Sequence, residues 1–402
     1  MKTAFIISGK SPTTMPGGLG SYSYNVAKSF FSLGYRVYVV GISDKDEVLE
    51  SEFCTFVHVR SELRKLASVT AFIMMRQLVP RILNIMAGHE DSEFLFYGAG
   101  IWGRVGNLVK QEYPGNKSAI HTTAAYFTTF EHEYRGQVKG SPARDYGIFY
   151  NLMMKTLFGV IKVFYVPKEH KTLKEIDRII VHYESSRQIL VDEIPGLSPE
   201  KIIRIPYFIE SYERKGVNVS VKKHTVSRIV CICRQDPRKG INSLLHAVAI
   251  LKKENRIFDC VIAGSGPFLG PNRKLAVKLG ISDIVHFPGF ISSIEETLDA
   301  GDIYAFPSVE EGSGAISLLE AMKVGLPIVT TWCDGIPEDF IDGETALLAY
   351  PDDAGSFANR LRLLLDDVDL RKKMGKQVKQ AYVDKFTLEG MTEGIRELSE
   401  LF

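Results

Sequence analysis

A chain of 402 residues exceeds the length at which single cores usually stop growing, so two domains are expected. With 45% apolar and 24% charged residues its composition is that of a globular protein, which excludes wholesale disorder. The 49 basic and 48 acidic residues nearly cancel, so no global field favours nucleic acid as a partner.

The N-terminal apolar run over residues 4–7 is too short for a signal-peptide core and reads as a first strand. Short apolar runs then alternate with helix-period segments, the pattern of parallel sheets with crossover helices. Strands are expected over 2–7, 36–41, 55–59, 94–97, 118–121, 178–182 and 201–205, with a helix over 21–33 closed by Gly34. Residues 211–226 read SYERKGVNVSVKKHTV, polar and basic, and form the candidate linker. Beyond it the alternation restarts, with strands over 228–231, 258–263, 284–287, 303–306 and 327–330 and helices over 242–252 and 316–324. The expected fold is α/β: two doubly wound Rossmann-like domains facing an interdomain cleft. Residues 1–210, rejoined by a C-terminal helix over 386–402, are expected to form the first domain, and 227–385 the second.

Two apolar segments carry basic residues: 152–166, with Lys155 and Lys162, and 67–87, with Arg76 and Arg81. The charges argue against a spanning helix. Residues 152–166 read as a buried core helix, with a surface that lies on a bilayer as the other reading. The five cysteines are scattered without zinc or disulfide spacing, which fits a reducing cytosol. Cys231 and Cys233 fall two apart in a strand and share a face.

In doubly wound sheets, ligands bind outside the carboxyl ends of the strands. The polar and glycine-rich clusters fall there: after the first strand, at His121, Arg234, Gly264 and Gly289, and at Glu310. The first loop, SGKSPTTMPGGLGSY, lacks the upstream glycine of a Walker A loop, since that position is Ala4. It also lacks the third glycine of a dinucleotide fingerprint, since that position is Ser23. What remains is a glycine loop, Gly17, Gly18 and Gly20, opening a helix whose free N–H groups suit an anion. A turn that needs glycine only for backbone freedom fits it equally.

Arg234 and Lys239 follow a strand in CICRQDPRKG and could neutralise a diphosphate leaving group; Arg238 reads as solvated. The densest segment is PSVEEGSGAISLLEAMKVGLPIVTTWCDGIPE. Amides of Gly312, Ser313, Gly314 and Ala315 would face an anion or sugar hydroxyls, and Glu320 could accept from a ribose diol. Glu310 or Glu311 could bind hydroxyls of a donor sugar. His132 and Glu133 are not zinc-like in their spacing to His121, and the aspartates at 366, 367 and 369 read as solvated.

On these motifs the chain resembles glycosyltransferase family 4, the retaining enzymes of the GT-B fold. The resemblance rests on Gly17-Gly18, His121, Arg234 with Lys239, the GSGP loop at Gly264, the FPGFI stretch with Phe290 and Ile291, and Pro307-Ser308 leading to Leu319-Glu320-Ala321-Met322. It implies transfer of a hexose-type sugar from a UDP- or GDP-sugar to a glycan, lipid-linked or small-molecule acceptor. His121 is then expected beside the transferred sugar, and Arg234, Lys239 and Glu311 at the reaction centre. The same resemblance implies retention through an oxocarbenium-like state, without cofactor or metal, and a cytoplasmic chain with peripheral membrane contact. The chain departs from the pattern at one point: eight residues, not seven, separate Glu311 from Glu320. A sugar-nucleotide epimerase or a non-catalytic nucleotide-sugar-binding protein would share the donor grip. Lys239→Ala is expected to cut turnover about a hundredfold and leave folding intact.

Overall fold

A computed structural model describes residues 2–9, 18–63, 67–89, 91–126, 129–138, 148–206, 208, 226–291, 293–311 and 315–402. The chain forms two compact units. The first comprises Met1–Thr129, Ile161–Tyr212 and Phe386–Phe402; the second comprises Phe130–Val160 and Glu213–Lys385. The segment 130–160 therefore groups with the second unit, whereas the sequence reading placed it in 1–210. Of the expected linker, residues 211–225 lie outside the described residues.

In the first unit, β1 (Lys2–Ser8), β2 (Arg36–Ser43), β4 (Thr55–Arg60), β5 (Glu93–Ala99), β6 (Ile120–Ala125), β7 (Arg178–Val181) and β8 (Ile202–Arg204) pair in parallel. An antiparallel edge strand, β3 (Glu47–Glu50), completes the sheet in the order β3-β4-β2-β1-β5-β6-β7-β8. The sheet winds outward in both directions from β1 and β5, so its crossover helices fall on both faces. Helix Ala67–Ala87 shows how the pattern works: Met74, Met75, Leu78, Val79, Ile82 and Met86 are buried at helical spacing, while Arg76 and Arg81 are exposed. The final helix, Leu388–Glu400, is capped by Thr387 and buries Met391, Ile395 and Leu398. Thr392 Oγ1 lies 3.0 Å from Ser29 Oγ on helix Gly18–Ser32, which anchors the C-terminal residues in this unit.

In the second unit, β9 (Ser227–Ile232), β10 (Phe258–Ala263), β11 (Val285–Gly289), β12 (Ile303–Ala305), β13 (Ile328–Thr331) and β14 (Leu347–Ala349) form one parallel sheet. Their order is β11-β10-β9-β12-β13-β14, which reverses between β9 and β12. The helices Ile241–Lys253 and Ala354–Asp366 bury Leu244, Leu245, Val248, Leu361 and Leu364 into its core. Cys231 and Cys233 share a face as their spacing requires, with sulfurs 3.8 Å apart, and all five cysteines are free.

Three sequence expectations shift. The first helix begins at Gly18 rather than Ser21, so Gly18 and Gly20 lie in its first turn instead of a preceding loop. The strand expected over 118–121 is displaced to Ile120–Ala125, because Asn116 caps a 3-10 turn at Lys117–Ala119. Most of that strand is Thr122–Ala125, small buried residues without a strong apolar signature. Finally, the segment 152–166 belongs to helix Ile148–Glu175, and it is not a core helix: Leu152, Val160, Val163 and Phe164 are exposed. Among the described residues, no helix is long and apolar enough to cross a membrane.

Candidate functional site

The reversal of strand order between β9 and β12 leaves a crevice at their carboxyl ends, where the flanking crossovers diverge to opposite faces. Most of the chemistry expected in the second unit gathers there. After β9 the chain passes Arg234 into a 3-10 turn, Pro237–Lys239, and then into helix Ile241–Lys253. Gly240 joins the two at φ 61°, and a Cβ there would collide with the carbonyl of Pro307. Only glycine meets both demands. Gly264, after β10, is under the same double constraint, with φ 119° and Cys233's carbonyl against its Cα hydrogen.

Backbone hydrogen bonds tie these loops into one rigid rim. Cys233 N–H donates to Ala263 at 3.1 Å and Gln235 N–H to Ser265 at 3.0 Å. Gly264 N–H donates to Gly289 at 2.7 Å, and Val309 N–H donates to Arg238 at 2.8 Å. The loops after β9, β10, β11 and β12 are thereby fixed relative to one another.

Into this rim project the charged groups. Lys239 is buried and paired with Glu311, whose Oε2 also accepts from Ser308 Oγ at 2.9 Å. Arg234 is the exposed member of the basic pair, 67% accessible, with Asp236 3.5 Å away. Glu311 N–H donates to Asp334 Oδ2 at 2.6 Å, and Asp334 Oδ1 lies 3.0 Å from His132 Nε2. His132 stands on helix Phe130–Val138 and is 3.6 Å from Glu310 Oε1. Glu310 is 5% exposed, and among the described residues neither of its oxygens has a hydrogen-bond partner; Arg238 is 3.9 Å away. Burial pushes its carboxyl up to about 8, against the opposing pull of Arg238 and His132. Glu320, half-buried on helix Ile316–Val324, is pushed up to about 7 by burial, with Glu295 adding to the rise.

The two neighbouring glutamates differ in their partners: Glu311 holds Lys239, whereas Glu310 makes no side-chain hydrogen bond among the described residues. Arg238, expected to be solvated, is instead 17% accessible between Asp236 and Glu310. His132 and Asp334 were not expected in the site. Asp334 stands in the loop after β13 at φ 43°, unusual for a non-glycine residue and visible only in the structure.

Ala315 caps helix Ile316–Val324 and is buried, whereas Gly312, Ser313 and Gly314 lie outside the described residues. Phe290, after β11, is 66% exposed with Ile291 beside it, a ring free to stack on a planar ligand. In the first unit, Gly18 and Gly20 open helix Gly18–Ser32, and Gly17 lies outside the described residues.

His121 requires a correction. It is the second residue of β6, opposite Leu95 of β5, at the amino end of a parallel sheet. The ligand-binding edge lies beyond Ala125, about 13 Å farther along the strand at 3.3 Å per residue. Its ring packs on Phe402, with centroids 4.4 Å apart, and burial lowers its pKa. Lys239 is corrected too, since a buried ion pair makes it part of the fold and not only of the chemistry.

Residues 214–381 match the family described as glycosyl transferases group 1. A mannosyltransferase of Mycolicibacterium hassiacum, MMP alpha-(1->4)-mannosyltransferase, is 30% identical over 232 residues, 56% of this chain and 54% of that protein. The chain spans about half the length of the curated relatives it matches. Among solved structures, sucrose-phosphate synthase of Thermosynechococcus elongatus superposes with a TM-score of 0.74 at 18% identity, over 100% of this chain and 99% of that one. Anabaena HepE, solved in complex with UDP and glucose, gives 0.70 at 15% identity over 100% of both chains. The chain therefore has the GT-B fold and carries, over residues 214–381, a domain of the glycosyl transferases group 1 family.

Proposed function

We propose that the protein transfers a hexose-type sugar from a UDP- or GDP-sugar to a glycan, lipid-linked or small-molecule acceptor, with retention at the anomeric carbon. The observation that carries the reading is the gathering of Arg234, Lys239 and Glu311 at the strand-order reversal of a group 1 domain. A sugar–phosphate bond breaks by placing charge on the departing diphosphate, and two cations held by a rigid rim stabilise that charge without reorganising. Lys239, aligned by Glu311 and Ser308, supplies a fixed ammonium. Arg234 supplies an exposed guanidinium able to fork two phosphate oxygens.

In this reading Glu310 accepts from a donor-sugar hydroxyl, its buried oxygens having no hydrogen bond among the described residues. Glu320 accepts from the ribose, and Phe290 with Ile291 borders the base. No chemistry in it calls for a metal or organic cofactor. Retention proceeds through an oxocarbenium-like state screened by the departing diphosphate. The chain works in the cytoplasm and meets its acceptor at a bilayer surface. Calorimetry with UDP, GDP and ADP tests the donor site: micromolar binding of one of them is expected, and silence with all three would overturn the reading. Incubation with the matching nucleotide sugar alone separates transfer from epimerisation, since a transferase leaves the sugar's configuration unchanged.

A further inference from the structure

Three side chains of metal-ligating type converge in the second unit from distant parts of the chain: His132 on helix Phe130–Val138, Glu310 after β12 and Asp334 after β13. His132 Nε2 lies 3.0 Å from Asp334 Oδ1 and 3.6 Å from Glu310 Oε1, and all three atoms lie within 4.8 Å of one another. Tetrahedral ligands bound to one ion at about 2.1 Å stand about 3.4 Å apart. The two distances from the imidazole straddle that value.

Each carboxylate turns one oxygen toward the imidazole and has its second oxygen engaged from outside. Asp334 Oδ2 accepts from the Glu311 N–H at 2.6 Å, and Glu310 Oε2 faces the Arg238 guanidinium at 3.9 Å. Outer contacts of this kind fix the direction in which a ligand oxygen points. Glu310 gives an independent sign that a ligand belongs here. It is 5% exposed, and among the described residues neither of its oxygens makes a hydrogen bond. A carboxylate held out of water is costly unless it is hydrogen-bonded or coordinates a cation.

We propose that His132, Glu310 and Asp334 bind a divalent transition metal of the zinc class through Nε2, Oε1 and Oδ1, with a further coordination position left to water. The imidazole selects such ions over magnesium, which takes an octahedron of oxygens. The site goes beyond sugar transfer and rests on that reading in one respect: the same Glu310 oxygens are given there to a donor hydroxyl, so ion and sugar compete. The test is titration of the metal-stripped full chain with Co2+, followed by its visible ligand-field bands, and with Zn2+, followed by thermal melting. Bands of four- or five-coordinate Co2+ that Zn2+ displaces are expected, with a melting temperature raised by Zn2+ and not by Mg2+. His132→Ala is expected to weaken Zn2+ binding about a hundredfold or more, and Glu310→Gln serves if that chain does not fold. A wild type without bands overturns the proposal, as does Zn2+ affinity unchanged in the variants. Thiolate-to-cobalt charge-transfer bands would place the ion at Cys231 and Cys233 and overturn it as well. Saturating Zn2+ is expected to weaken binding of the nucleotide sugar about tenfold or more, and an unchanged affinity would overturn the competition. Metal binding by a chain that binds no nucleotide would leave the site standing and remove the transferase reading.

Discussion

The ammonium of Lys239 and the carboxylate of Glu311 form a buried ion pair that joins the turn after β9 to the loop after β12. The two strands are neighbours at the order reversal, so the pair closes the floor of the crevice from both sides. Glu311 needs its cation as much as a departing phosphate would. Removing either partner leaves a charge stranded out of water.

Lys239→Ala is therefore expected to lower stability by about 3 kcal/mol as well as turnover by about a hundredfold. Lys239→Met combined with Glu311→Gln removes both charges and should restore most of the stability but none of the turnover. Urea unfolding and initial rates measured on the same preparations separate the two effects. A single variant as stable as the wild type would remove the structural role of the pair.

Arg234 makes the opposite case, being largely exposed beside Asp236. Arg234→Ala should leave stability within about 0.5 kcal/mol of the wild type. Its affinity for the nucleoside diphosphate should fall about tenfold or more, because a charge-assisted fork is lost. Calorimetric titration of wild type and variant decides it; equal affinities would place the diphosphate elsewhere.

Glu310 predicts a pH dependence of stability. Its folded carboxyl is raised by burial to about 8 from the ordinary 4.5. The folded state thus holds a proton that the unfolded state releases across this window. Its contribution to stability is complete below the unfolded value and is lost as pH rises through the folded one. Thermal melts from pH 5 to 9 should show that loss, on the order of 3 kcal/mol, and Glu310→Gln should flatten it. An identical slope in the variant would assign the dependence to other groups.

His121→Ala should leave turnover within about twofold of the wild type, since its ring lies at the amino end of β6. The loss of packing against Phe402 should cost about 1 kcal/mol in unfolding free energy. Steady-state rates that fall a hundredfold in a folded variant would restore the role that resemblance assigned to this residue.

The alternation of apolar runs made the fold class legible, because every buried parallel strand such as β1 or β10 must be nearly continuous in apolar residues. Edge strands carry no such requirement. β3, with three of its four residues exposed, and β14, only three residues long, left no comparable trace. Motif spacing likewise located Arg234, Lys239 and the paired glutamates, since glycine-bounded loops at strand ends are local features. Spacing failed at β6, where two threonines and two alanines bury without an apolar signature and the strand end slipped past His121.

What the chain order alone determined, then, was two wound sheets and which loops carry charge, because strand, helix and turn preferences act over a few residues. Only the tertiary structure decided which charges meet. His132 and Asp334 lie 202 positions apart and Lys239 and Glu311 72 apart, and no local periodicity encodes such pairings. Pairing separated Glu311 from Glu310, both of them buried, and packing left Leu152, Val163 and Phe164 of helix Ile148–Glu175 in water. Exposure depends on what packs against a side chain, a property of the assembled fold and not of the side chain's own hydrophobicity.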